Sequence, residues 1–338
     1  MKEPKIIFII YLVISWCVFG QKKIKSDSLF SHQFPLEIKL NYSNNFLNRS
    51  TNDSTFVKTK IFFYNNLGWK EINVSLRARG NFRRKNCFFT PVKMKIKKSQ
   101  STGTIFQGNK SLKLVLPCKN LNDKNDKLIK EFIAYKIYEI VSYHFFKTRR
   151  LDVTFGNIKR KKESEYSLKA FFIEDDKRLA ERFNGKIVKR YIHPLAMDNL
   201  SFVNLSFFNY LIGNTDFSSS NQHNGKLLFT QKKIVPIPYD FDLTGWVNPN
   251  YGKGVINRLG YSFEERNFIG FKKHHPLFEI VRKHYLKLKQ KVIDRVKSFE
   301  QEFDDAVEFN LMVKYLEEFY EILENDRMFT RLIVSQAK

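Results

Sequence analysis

Apolar and polar residues alternate over residues 36–42, which predicts a half-buried strand. Residues 58–64 and 69–79 show the same period on either side of Asn65-Asn66-Leu67-Gly68, which predicts a hairpin with a four-residue turn. Two more alternating runs follow at 91–97 and 111–116. The period then changes. Leu128, Phe132, Tyr135, Ile137, Tyr138 and Val141 recur at helical spacing within 127–146, after a polar entry at 122–126. Strands resume at 150–155 and 167–174, on either side of a basic loop at 159–162. Residues 198–212 read as a buried helix, and 226–230 with 233–236 as a short hairpin. Val281, Tyr285, Leu288, Val292, Val296, Phe299 and Phe303 mark one face of a long helix, and a last helix covers 307–323. Mostly sheet is followed by mostly helix. The pattern predicts an α+β fold of two lobes: a β-rich N-lobe with one helix over 36–175, and a helical C-lobe with the short hairpin over 176–338.

The first residues carry a different signal. Lys2 and Lys5 precede an apolar run at 6–19 that ends in Gly20. This reads as a signal peptide over 1–20, followed by a linker at 21–35. The run falls short of the roughly 20 apolar residues of a membrane span, so the mature chain is expected to have no transmembrane span. The expected location is secreted, periplasmic or in the cell envelope. Three cysteines in 338 residues exclude a disulfide-knotted mini-domain and a four-cysteine zinc module. Cys17 leaves with the signal. Cys87 and Cys118 remain, each beside a strand, as a pair able to form a disulfide outside the cytoplasm. Lys plus Arg number 59 against 34 Asp plus Glu, a net charge of +25 that favours polyanionic partners, although an A- and T-rich coding bias also enriches lysine. The aromatic residues sit in apolar periodic runs rather than among exposed basic ones, which argues against nucleic acid as the partner.

The chemistry gathers on the short hairpin. The buried helix ends at Gly213, and Asn214-Thr215-Asp216 follows. His223-Asn224 opens one strand, and the return strand runs into Tyr239-Asp240-Phe241-Asp242. A hard divalent cation takes carboxylate and amide oxygens, and a separate carboxylate can accept a hydroxyl proton. Asp240 and Asn224 are the candidate metal ligands, with Asp242 auxiliary and Asp216 as the base. Asn221 is the alternative amide, five residues after Asp216. His223 reads as an orienting residue, because no second His or Cys stands at a metal-binding spacing. A second cluster is cationic. Arg77 and Arg79 oppose Ile72, Val74, Leu76 and Ala78 along one strand, and Lys93, Lys95 and Lys97 oppose Val92, Met94 and Ile96 along the next. This face, beside the Gly80-Asn81 turn, suits a polyphosphate.

Taken together, these segments resemble the spore-coat-protein H (CotH) kinase family. The similar stretches are RARGNFRRKNCFFTPVKMKIKK from Arg77, SLKLVLPC from Ser111, KLIKEFIAYKIYEIV from Lys127, AFFIEDDKRLAERFNG from Ala170, NYLIGNTDFSSSNQHNGKLL from Asn209 and VPIPYDFDLTGWVN from Val235. The resemblance implies a protein-kinase-like fold that binds ATP with Mg²⁺ or Mn²⁺ between the lobes. It implies transfer of the γ-phosphate to a hydroxyl on a protein or glycan acceptor. It makes Asp216 the catalytic Asp and Asp240 the metal Asp. Lys93 or Lys95 then becomes the phosphate-binding lysine, Glu131 its ion-pair partner, and Glu174 the hinge residue that offers backbone contacts to the nucleotide. No G-x-G-x-x-G loop is present, so the Gly80 turn would serve in its place. The rival function is a pseudokinase-like module that binds a nucleotide or another acidic ligand without turnover.

Overall fold

In the computed structural model, residues 27–32, 34–80, 82–159 and 162–338 are described. The proposed signal peptide and Asn81 lie outside them. Seven strands, β1 (Leu36–Tyr42), β2 (Val57–Asn65), β3 (Gly68–Ala78), β4 (Val92–Ile96), β5 (Ser111–Val115), β6 (Thr148–Lys159) and β7 (Lys162–Glu174), form a closed barrel in the order β1-β2-β3-β4-β5-β7-β6. β1 shows how the sequence builds it: Leu36, Ile38, Leu40 and Tyr42 are buried, while Glu37, Lys39 and Asn41 are exposed. Every pairing is antiparallel except that of β1 with β6, where Leu36 lies opposite Leu151 and Tyr42 opposite Asn157. That parallel contact closes the barrel. Its interior is apolar, filled by residues such as Ile38, Phe63, Leu76, Met94, Leu114 and Phe172. Four short helices decorate it: α1 (Ser28–Ser31), α2 (Asn44–Ser50), α3 (Phe82–Asn86) and α4 (Lys98–Ser101). Leu29 and Phe30 of α1 are buried in the barrel core, so this part of the expected linker is structural. The β2–β3 turn is also tighter than expected. Asn65 pairs with Gly68, leaving only Asn66 and Leu67 between the strands.

The chain is thus mixed α+β. α5 (Lys124–Val141) lies against the barrel's outer face, where Val115, Phe171 and Ile173 join a second, larger core. α6 (Asp176–Arg182) leads to β8 (Lys186–Val188), and α7 (Asn199–Leu211) is capped at its start by Asp198, which accepts from the Ser201 N–H at 3.0 Å. β9 (Gly225–Thr230) and β10 (Lys233–Pro238) form the expected hairpin, and β8 adds a third strand outside β9. α8 (Lys253–Arg258), α9 (His275–Lys297), α10 (Ala306–Glu324) and α11 (Asp326–Phe329) complete the helical part. α9 begins with Pro276 in its first turn and stops at Ser298, so Phe299 and Phe303 pack from the following turns rather than from the helix itself. No helix among the described residues is long and apolar enough to cross a membrane.

Candidate functional site

α7 ends at Leu211 and is stopped by Gly213, whose φ of +60° suits glycine, and where a Cβ would collide with the Tyr315 hydroxyl. The close approach lets Gly245 N–H donate to the Gly213 carbonyl at 3.1 Å, so the loop after α7 lies beside the loop after β10. Buried Asn214 then shapes the turn. Its amide donates to Asn209 Oδ1 at 3.0 Å, and its Oδ1 accepts from the Asp216 N–H at 3.1 Å. Asp216 is held on both oxygens. Oδ1 lies 2.9 Å from His223 Nε2, and Oδ2 accepts from Asn224 Nδ2 at 3.0 Å. The bond to Asp216 holds the His223 imidazole above its ordinary pKa. Of the two candidate amides, Asn224 sits at Asp216. Asn221 is exposed, and its N–H donates to Ser218 Oγ.

The loop after β10 is fastened to α5. Asp240 N–H donates to the Tyr135 hydroxyl at 2.8 Å, and Trp246 Nε1 donates to the Lys130 carbonyl at 2.7 Å. Asp240 and Asn224 both adopt left-handed backbone conformations, with φ of 68° and 50°. Such strain at non-glycine residues is held only where the surroundings over-determine it. The Asp240 side chain is half-buried, and among the described residues no ion pair or hydrogen bond engages its carboxylate. Asn224 spends its Nδ2 on Asp216, which leaves its Oδ1 for another partner.

Asp242 lies in a different environment. It is buried, with Oδ2 at 3.1 Å from Arg83 Nε and 3.4 Å from the Tyr251 hydroxyl. Arg83 also reaches Glu131 Oε2 at 3.2 Å. Burial pushes Asp242 up to about 6 against the pull of Arg83, and the nearby Asp240 and Asp216 add to the rise. Burial likewise pushes Glu131 up to about 8, again opposed by Arg83 and reinforced by Asp242 and Asp240. Asp242 is therefore the anchor of a buried arginine more than an auxiliary metal ligand.

The cationic residues distribute unevenly. Arg77, Lys93 and Lys113 stand in one cross-strand row on the outer face of β3, β4 and β5. Arg77 turns to Asp53 at 2.7 Å, and Lys93 to Asp175 at 3.5 Å. Lys95 sits over the Phe56 ring, 4.0 Å from its centre. Neither lysine meets Glu131, because Arg83 already fills that position. Lys113 is the member that turns inward. It is 7% exposed, 2.6 Å from Asp176 Oδ1 and less than 5 Å from the centres of the Phe146 and Tyr239 rings. Lys226 of β9 joins it, 3.8 Å from the other Asp176 oxygen and over the same Tyr239 ring. Burial lowers the Lys113 pKa, and the charges of Arg79 and Lys226 lower it further against Asp176. Burial works to raise Asp176, but Lys113 and Lys226 hold it below the ordinary carboxylate range. The charge of Arg79 also lowers the pKa values of Glu131, Tyr135 and Tyr239 against their burial. Gly80 is exposed, with φ of +75°.

Glu174 does not present a hinge. Its N–H donates to the Lys147 carbonyl at 2.9 Å, and its fully buried carboxylate binds Arg182 at 2.8 Å and the Lys147 N–H at 3.1 Å. β7 also has neighbours on both sides, so its backbone offers no open edge there. Cys87 and Cys118 are joined by a disulfide that fastens the end of α3 to the segment after β5.

No protein-family model matches the chain, and no curated protein matches it. Among solved structures it is similar to a chain of the Shewanella oneidensis MR-1 toxin–antitoxin system HipA, HipB and its operator DNA complex. The identity is 12% and the TM-score 0.30, over 80% of this chain and 64% of that one, so this chain spans less than two thirds of its length.

A divalent cation fits the residues present. Among the described residues no three His, Cys, Asp or Glu side chains converge to form a cage. Mg²⁺ does not need one, because it is commonly held by one or two carboxylates together with phosphate oxygens and water. The unengaged Asp240 carboxylate and the Asn224 amide oxygen are donors of that kind.

Proposed function

We propose that this chain is an atypical kinase, exported and arranged in two lobes, that transfers the γ-phosphate of ATP to a hydroxyl acceptor. The observation that carries the reading is the Asp240 carboxylate, which no described residue engages, on a left-handed backbone next to Tyr239, whose N–H donates to the Asn224 carbonyl and whose ring centre lies 4.7 Å from Lys113 Nζ. Lys113, Lys226 and Arg79 would receive the phosphates. Asp240 and Asn224 would hold Mg²⁺ or Mn²⁺, which neutralises phosphate charge when bound. Asp216 would take the proton of the acceptor hydroxyl. The acceptor oxygen then bonds to the γ-phosphorus, the bond from that phosphorus to the β–γ bridging oxygen breaks, and ADP leaves. His223 and Asn224 fix the direction of the Asp216 carboxylate, while Asn214 holds its backbone N–H.

Nucleotide binding without turnover is the second reading. One observation favours it: both Asp216 oxygens already have partners, so a hydroxyl must share or displace one of them.

Calorimetric titration with ATP, with and without Mg²⁺ or Mn²⁺, tests the shared premise. Metal-dependent binding is expected in the wild type and its loss in Asp240→Ala, with the fold intact by circular dichroism. Equal affinity in the variant overturns the metal assignment. No binding by the wild type under any condition overturns both readings.

A further inference from the structure

The chain beside Asp216 carries its own signature. β8 pairs antiparallel with β9, Val188 opposite Leu227, so the chain leaving β8 runs back toward the loop that begins β9. Gln222 Nε2 donates to the Arg190 carbonyl at 2.9 Å and ties the two together, one residue before the His223 that touches Asp216. Residues 186–193 read KIVKRYIH, with no acidic residue. Lys186, Lys189, Arg190 and His193 are exposed, and Tyr191 is 63% exposed between the last two. Among the described residues Lys186, Lys189 and Arg190 have no acidic partner, whereas Lys233 on the adjacent hairpin turn is paired with Asp198 at 2.9 Å.

Exposed lysine on an outer strand also serves to discourage edge-to-edge pairing. That role accounts for Lys186 on β8. It does not account for Lys189 and Arg190, which lie beyond the strand, nor for a large exposed aromatic beside them.

We infer that the segment from Lys189 to His193 is a docking strip for an acidic polypeptide segment, and that the acceptor hydroxyl belongs to a protein chain with Asp or Glu close to it. The inference rests on the reading of Asp216 as the base. The strip is an irregular run that leaves β8, bends at Arg190 and is tied there by Gln222 next to the base, which leaves its exposed side chains open to a peptide laid across it. Lys189 and Arg190 supply the charge complementarity, and Tyr191 a face for an apolar neighbour of the acceptor.

The test is fluorescence anisotropy of a labelled peptide of about 15 residues, with a central serine flanked by glutamates, measured without nucleotide. The wild type is expected to bind it about tenfold more tightly than the same peptide with glutamine or lysine flanks, and more weakly as salt rises. Lys189→Glu with Arg190→Glu is expected to remove about tenfold of that affinity with an unchanged melting temperature, since both side chains are exposed. Equal binding of the three peptides, or undiminished binding by the double variant, overturns the inference. So does displacement of the peptide by a single-stranded oligonucleotide at lower concentration than by unlabelled peptide. Because the readout needs no ATP, a chain that fails to bind nucleotide yet selects the acidic peptide overturns the kinase reading and keeps the docking strip. A chain that binds ATP but ignores peptide charge does the reverse.

Discussion

The charged residues around the hairpin fall into two groups, or walls, of opposite sense, and they come from different parts of the chain. The barrel wall with α6 carries Lys93, Lys113 and Arg79, joined by Lys226 from β9, against Asp175 and Asp176. The wall built from α5 and the loops beside the hairpin carries Asp216, Asp240, Asp242 and Glu131, against Arg83 and His223. Each wall is incompletely neutralised by its own residues. A basic wall with too few acids attracts phosphates. On the acidic wall burial, reinforced by the neighbouring carboxylates, pushes the Glu131 and Asp242 pKa values up, and the Asp240 carboxylate is left for a cation. A metal–polyphosphate placed between them compensates both excesses at once, which a phosphate or a cation alone does not.

The largest effect that separates the walls is expected at Asp216. If it is the base, it meets the acceptor and not the nucleotide. Asp216→Asn is nearly isosteric. Its amide can donate to a neutral His223 while its oxygen still accepts from Asn224, so stability and ATP affinity should barely change. Phosphoryl transfer should fall by about 10² to 10⁴, the usual worth of a positioned general base. Phosphate release with Mg²⁺ or Mn²⁺ measures it. Equal turnover in wild type and variant would remove the base from Asp216. A wild type that binds ATP and never turns over would select the binding-module reading.

On the basic wall the comparison is among lysines. Lys113→Met should weaken ATP binding by about tenfold or more, since it removes a largely desolvated charge from the phosphate side. Lys95→Met, whose lysine stacks on Phe56 away from Asp176, should change affinity by less than about twofold. Lys93→Met should fall between them, its lysine being half-buried and paired with Asp175. Calorimetry on the three variants sets the order. The reverse order would return the phosphate site to the 93–97 strand.

These assignments show where the sequence was readable. Alternation in β1 and β4 and helical spacing in α10 mark their buried faces directly, because each has one wet side, whereas α5 and α7 are buried nearly all round and were legible by their length and apolar density. Barrel closure was not legible. It depends on a parallel contact between β1 and β6, segments more than a hundred residues apart that carry no local sign of each other. The proximity of Asp216, Asn224 and Asp240 was legible, since one hairpin brings them together. Lys113 was hidden inside Ser111-Leu112-Lys113-Leu114-Val115, a strand buried on both faces, where a lone lysine between leucines is the only clue. Arg83 was hidden in the basic run Arg83-Arg84-Lys85. Only the fold shows that it takes the partner first assigned to Lys93 or Lys95.

The smallest expected effect concerns the acidic wall's protons. Glu131 has its folded pKa raised from 4.5 to about 8, chiefly by burial. Between those values the folded chain holds a proton that the unfolded chain has released, so stability falls as pH rises through the window. Below about 4.5 both states are protonated and the contribution is fully present. Glu131→Gln imitates the protonated side chain at every pH. It should melt close to the wild type at pH near 5, and its melting temperature should fall less steeply toward pH 8. Asp242, raised to about 6, remains in the variant and preserves part of the slope at the lower end. Parallel curves for the two proteins would mean that Glu131 is ionised throughout, paired fully with Arg83, and that the acidic wall carries one more negative charge for a cation to neutralise.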